Sequence, residues 1–287
     1  MCLLVLLLAD LWTTGCAREE PGKGMEVVAA TYPLAWMAER VGGERVVVED
    51  LTPPGVGAHD VTLTAEQRAD IETSGVVLYL GNIGFQASVE QAVGDAKGIV
   101  LSLTDGLSLA SGSGSLAFDP HVWLDPGVMA DFAPKVASAL AAADSAGGGY
   151  YEANAARLKA DLEGLDARFS SGLSGCRYRE FVVAHEAFGY LARAYGLTQL
   201  GLEGLSPESE PSAGRIQVAL DAISSGVTAP AVFYDPVEGN AAAQSVAADA
   251  GVPAIQLLVL ETQPPSGDYM SAMDQDLSSL SGALQCK

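Results

Sequence analysis

Short runs rich in β-branched residues alternate along this chain with longer stretches whose apolar positions recur every three or four residues. The runs at 26–30, 46–51, 76–80 and 99–103 read as strands, with helices predicted between them at 33–41, 64–74 and around 86–93. The alternation resumes after Cys176, with strands at 180–184, 198–202, 231–234 and 254–260 and helices at 187–195, 212–224, 241–250 and 268–284. Two further helical segments, 126–142 and 150–170, separate the two series. In the second of these, Leu158, Leu162, Leu165 and Phe169 fall on one helical face. Lys159, Asp161, Glu163 and Arg168 lie largely off it.

Strand–helix–strand alternation predicts parallel sheets with helices on both faces. The expected fold is α/β, with two Rossmann-like lobes flanking a long central helix. The segments divide as a leader at 1–15, a tether at 16–25, a first lobe at 26–145, a linking helix at 146–172 and a second lobe at 173–287. The two halves share an element order without a sequence repeat.

The leader stands apart from this pattern. Residues 3–9 form an apolar run of signal-peptide size, far too short to span a bilayer. Thr13-Thr14-Gly15-Cys16 follows and resembles the lipobox of bacterial lipoproteins, which implies that Cys16 is acylated and becomes the new N-terminus. No Lys or Arg precedes the run, and Thr13 stands where Leu is usual. The expected location is extracytoplasmic, with a lipid anchor on the outer face of the cell membrane, or periplasmic, and the protein a monomer. Cys2 leaves with the leader and Cys16 is taken by the lipid. Cys176 and Cys286 remain as an even pair in an exported chain, where a disulfide is permitted. Two free thiols or metal ligands are the alternative.

Charge narrows the partners. Fifteen basic residues face 36 acidic ones, a formal net charge of −21. Nucleic acid and anionic membrane surfaces would repel such a chain. Solubility accounts for most of this charge, and cation capture is compatible with it.

The candidate chemistry rests on histidine. There are only three, His59, His121 and His185, each at the end of a strand-like run and roughly sixty residues from the next. A metal motif carried by one helix would space them by three or four. A lone histidine is ordinarily a hydrogen-bonded structural residue. Three at loop positions, with no others in the chain, point instead to one shared metal. Imidazole is the commonest protein ligand for Zn²⁺, and three of them leave one coordination position. Open parallel sheets bind ligands beyond the carboxyl ends of their strands, so two facing lobes would present all three rings to one cleft.

Four blocks carry a family resemblance: Pro54-Gly55 with Ala58-His59-Asp60; Asp119-Pro120-His121-Val122-Trp123-Leu124-Asp125-Pro126; His185-Glu186-Ala187-Phe188-Gly189-Tyr190; and the stretch from Gly201-Leu202 to Ser212. In this order they resemble the metal-binding solute-binding proteins of bacterial ABC importers, the zinc/manganese cluster. The resemblance implies two lobes joined by a rigid helix, with the metal in the cleft between them. It makes His59, His121 and His185 the ligands and a membrane permease the partner. Histidine at the third position, where manganese-type relatives often place a carboxylate, favours Zn²⁺ over Mn²⁺. Glu261 lines up with the family's usual Asp and is the candidate fourth ligand. Water is the alternative, and Asp235 is a weaker one that reads as a turn residue. The Ser-Gly-rich loop before His121 has no histidine, so no auxiliary metal trap is expected there. Gln86 receives no role, and Trp123 and Phe188 are expected to pack and dry the site. The rival from another class is a zinc-dependent hydrolase or lyase. Against it, the chain has no His-Glu-x-x-His and no Gly-x-Ser-x-Gly, and Glu186 is the only evident base.

Overall fold

The computed structural model describes residues 24–81, 83–112, 116–205, 211–239 and 241–287. The leader, Cys16, and residues 113–115 and 206–210 lie outside the described residues.

Two four-stranded sheets, every pairing parallel, form the frame. The first holds β1 (Met25–Ala29), β2 (Val46–Asp50), β3 (Val76–Tyr79) and β4 (Ile99–Ser102) in the order β2-β1-β3-β4. The second holds β5 (Glu180–Val183), β6 (Thr198–Gly201), β7 (Thr228–Tyr234) and β8 (Ala254–Gln256) in the order β6-β5-β7-β8. The topology is thus the same in both. Val76, Val77 and Leu78 of β3 and Phe181, Val182 and Val183 of β5 are buried, as central parallel strands covered on both faces require.

Helices α1 (Tyr32–Gly42), α2 (Ala65–Thr73) and α3 (Ala87–Ala92) connect the first sheet's strands. Thr64 caps α2 in a reciprocal pair with Gln67, each backbone N–H donating to the other's side-chain oxygen at 3.1 Å. Helices α4 (Pro126–Ala143) and α5 (Gly148–Gly172) lead from the first sheet to the second. Asp125 caps α4, accepting from the backbone of Gly127 at 2.9 Å, and Pro126 begins the helix without needing an N–H. The second sheet carries α6 (Gly189–Ala194), α7 (Ala213–Ser224), α8 (Ala241–Ala250) and α9 (Tyr269–Ala283). Among the described residues no helix is long and apolar enough to cross a membrane.

The 25 residues of α5 make it about 37 Å long. Its predicted apolar face, Leu158, Leu162, Leu165 and Phe169, is fully buried. Its charged flanks reach helices on both sides. Asp161 pairs with Arg40 of α1 at 3.5 Å, Lys159 with Asp131 of α4 at 2.9 Å, and Arg168 with Asp274 of α9 at 2.9 Å. These pairs are solvent-exposed and contribute under about 1 kcal/mol each, so the buried face does most of the fixing. A disulfide joins Cys176, just past α5, to Cys286, just past α9.

One strand differs from the sequence reading. The run at 254–260 leaves the sheet after Gln256. Beyond that point two of its backbone N–H groups bond to side chains instead of a neighbouring strand. Leu258 donates to Asp276 Oδ1 at 2.9 Å and Val259 to Asp235 Oδ2 at 2.6 Å. Leu260 then adopts a φ of 61°, left-handed backbone that a branched side chain occupies only at a cost of about 1–3 kcal/mol. This departure turns the chain toward the first sheet and delivers Glu261 into the cleft.

Candidate metal site

Each histidine sits just beyond a strand or at a short turn, and each is held by a different device. His59 lies in a 3-10 turn (Ala58–Asp60) in the loop after β2. Gln86, buried, pins that loop: its amide donates to Ala30 O at 3.0 Å and to Ala58 O at 3.2 Å. The Phe85 ring meets His59 edge-on at 4.6 Å. His121 precedes a 3-10 turn (Val122–Leu124) and is wholly buried. Its Nδ1 lies 2.8 Å from Asp119 Oδ1, which also accepts the His121 backbone N–H at 3.0 Å. An Nδ1–H donated to that carboxylate leaves the Nε2 lone pair facing the cleft. His185 follows β5. Its Nδ1 lies 2.8 Å from both oxygens of Glu238, and its Nε2 lies 2.8 Å from Leu205 O.

The fold brings the three rings together. Centroids are 5.7 Å apart for His59 and His121, 5.6 Å for His59 and His185, and 4.8 Å for His121 and His185. One ring nitrogen from each lies within 4.8 Å of the others. Glu261 closes the group: its Oε1 is 3.0 Å from His59 Nε2 and 3.4 Å from His121 Nε2. A tetrahedral Zn²⁺ with ligand distances of 2.0–2.2 Å separates its donor atoms by about 3.3 Å. These gaps therefore match the edge of a zinc tetrahedron. The other Glu261 oxygen accepts the Ala58 N–H at 2.7 Å, which locks the carboxylate to the His59 loop. His59 Nε2, His121 Nε2 and Glu261 Oε1 are all buried without a hydrogen-bond partner. Buried polar atoms left unpaired cost about 1–3 kcal/mol each. Three converging on one point fit a cation that would pair them all.

Electrostatics follows from the same contacts. Burial lowers the His59 imidazole below its ordinary value. Burial also opposes protonation of His121, but the Asp119 and Glu261 carboxylates beside it outweigh burial and lift the ring to about 9. Burial would raise Glu261, yet the His121 and His59 imidazoles beside it hold it well below the usual carboxylate range. The pocket is thus built to keep one carboxylate charged among imidazoles.

Residues 27–283 match the family model described as zinc-uptake complex component A, periplasmic. The chain belongs to this family. The high-affinity zinc uptake system protein ZnuA of Bacillus subtilis is 26% identical over 306 positions, taking in 100% of this chain and 96% of that protein. The zinc-binding lipoprotein AdcA of Streptococcus pneumoniae is 27% identical over 300 positions, taking in 97% of this chain but 60% of AdcA. Among solved structures, the Zn(II)-bound ZnuA-like domain of that AdcA superposes with a TM-score of 0.79 at 28% identity, covering 91% of this chain and 99% of the domain. The laminin-binding protein Lmb of Streptococcus agalactiae superposes with a TM-score of 0.83 at 27% identity, covering 91% of this chain and 100% of that one. Members of the zinc-uptake family are solute-binding proteins, so the protein is not an enzyme. Glu186, the base a hydrolase would need, is engaged by Arg215 at 3.0 Å.

Four roles escaped the sequence reading. Gln86 pins the His59 loop, Asp119 orients His121, and Glu238 engages His185. Trp123 does more than pack, because its indole N–H donates to Val259 O at 2.8 Å and ties the His121 turn to the segment bearing Glu261. Asp235 is the turn residue expected, accepting from Val237 at 2.7 Å, and its second oxygen holds Val259. Phe188 is buried as packing.

Proposed function

We propose that the protein captures Zn²⁺ outside the cytoplasmic membrane with His59, His121, His185 and Glu261, and delivers the ion to the membrane permease of an ABC importer. Zn²⁺ is the cargo. The observation that carries this reading is the convergence of His59 Nε2, His121 Nε2 and Glu261 Oε1, buried and unpartnered, at separations suited to one tetrahedral ion. Three nitrogen donors and one oxygen suit Zn²⁺ better than Mn²⁺, which prefers oxygen-rich sites. The names of the relatives, a zinc uptake system protein and a zinc-binding lipoprotein, support the same cargo.

The chain works as a monomer, held at the outer face of the membrane by a lipid on Cys16. The lipobox-like Thr-Thr-Gly-Cys and the relative named as a lipoprotein support that anchor. Mass spectrometry of the protein extracted from its own membrane tests it: an acylated Cys16 N-terminus is expected, and an unmodified one removes the anchor.

Competition titration of metal-free protein with Zn²⁺ and Mn²⁺ against a chromogenic chelator tests the cargo. One Zn²⁺ per chain, bound far more tightly than Mn²⁺, is expected. Equal affinity for the two ions, or no binding of Zn²⁺, would overturn the proposal.

A further inference from the structure

Glu238 is a buried carboxylate at the cleft that the fourfold set leaves out. It stands in the loop after β7, with its side chain 8% exposed, and both its oxygens lie 2.8 Å from His185 Nδ1. A donor atom from each of His185, Glu238 and Glu261 lies within 4.8 Å of the others. This second group shares two members with the first but replaces His59 and His121 by a carboxylate.

The two groups differ in what they face. A narrow, solvent-open pocket runs along the loop after β7 and the segment after β8, and both Glu238 and Glu261 line it. None of the three histidines does, so the pocket presents the carboxylates of this group. Gln263 and Pro265, on the same wall, are exposed to solvent. Asp235 also lines the cavity, but backbone N–H groups hold both its oxygens, which removes it as a donor. Glu261 Oε1, by contrast, is buried and without a hydrogen-bond partner.

We propose that His185, Glu238 and Glu261 form a second, overlapping cation site on the cavity side, where Zn²⁺ is held before it moves to the histidine set. The inference rests on the zinc-capture reading and adds a route to it. A Zn²⁺ shedding its water needs compensating negative charge, and two carboxylates supply it at the cavity wall. Three ligands bind more weakly than four, so the ion passes on when His59 and His121 replace Glu238. The donor spacing allows this. Glu238 and His185 Nδ1 are 2.8 Å apart, and widening that contact by about half an ångström admits a tetrahedral ion.

A double variant, His59→Ala with His121→Ala, removes the deep set and leaves the proposed one intact. Calorimetric titration with Zn²⁺ should show one ion per chain, bound at least about a hundredfold more weakly than by the wild type. Adding Glu238→Gln to the double variant should abolish that binding. In the otherwise wild-type chain, Glu238→Gln should slow Zn²⁺ association about tenfold in stopped-flow measurements. A folded double variant that takes up no Zn²⁺, or whose binding is indifferent to Glu238→Gln, overturns the proposal. If circular dichroism shows the double variant unfolded, the association rate decides alone, and an unchanged rate overturns it. Failure of zinc capture itself would be visible separately, as a wild-type chain that does not bind Zn²⁺.

Discussion

At the scale of single residues, each proposed zinc ligand is backed by a partner that fixes its orientation. Replacing His59, His121 or His185 by Ala should each weaken zinc binding by more than about a hundredfold, because the ion loses a direct bond. Replacing Asp119 by Asn should cost about 10–100-fold, the usual loss when a residue orienting a metal ligand is removed. Chelator competition measures both, and wild-type affinity in any of these variants would remove that residue from the site. Protonation acts at the same atoms. His121, lifted to about 9, holds a proton at neutral pH that zinc must displace. Affinity should therefore climb with pH through neutrality, level off above about 9, and fall further in acid as His59, held below its ordinary value by burial, also charges. Calorimetry at pH 7 in buffers of differing ionisation enthalpy should register proton release on binding. The zinc-free fold shows the opposite trend. The contribution of protonated His121 is fully present below its unfolded value of about 6.5 and is lost as pH rises through about 9. The three histidines were legible in the sequence because they were few and stood at strand ends. Glu238 was not, since a carboxylate in a turn of so acidic a chain has no local mark separating it from a solvated surface acid.

At the scale of elements, the decisive piece is irregular. The alternation of periodicities located the eight strands and nine helices of the described residues closely, since parallel strands and amphipathic helices write their burial into the sequence. The end of β8 was misread, because its apolar run continues through Leu257, Leu258, Val259 and Leu260 while its hydrogen bonds change partner. Acids on other elements, Asp235 and Asp276, take over from the sheet, and a sequence run cannot display partners that distant. Trp123 crosses from the first half to hold the same segment. Trp123→Phe keeps most of the packing but strips the buried Val259 carbonyl of its donor. It should destabilise the protein by about 1–3 kcal/mol in chemical denaturation and loosen zinc binding by displacing Glu261. Unchanged stability would show that the indole N–H is replaceable.

At the scale of the whole molecule, two sheets of identical strand order face a common cleft, and links between distant segments hold it together. The Glu261–Thr262 segment is stitched to the first half through Ala58 N–H at 2.7 Å, Gly55 N–H at 3.3 Å and Pro53 O at 3.2 Å. Far from the cleft, the disulfide closes a loop of 110 residues. Replacing Cys176 and Cys286 by Ser should lower unfolding stability by up to about 4–5 kcal/mol while leaving zinc affinity within about twofold. The central claim is that residues scattered over two hundred positions of sequence converge on one ion. Anomalous diffraction at the zinc edge, from crystals of the zinc-loaded protein, tests it most directly. A single strong peak within about 2.0–2.2 Å of a ring nitrogen of each histidine and of a Glu261 oxygen is the result expected. A peak elsewhere, or one that leaves any of the three imidazoles uncoordinated, would contradict the account.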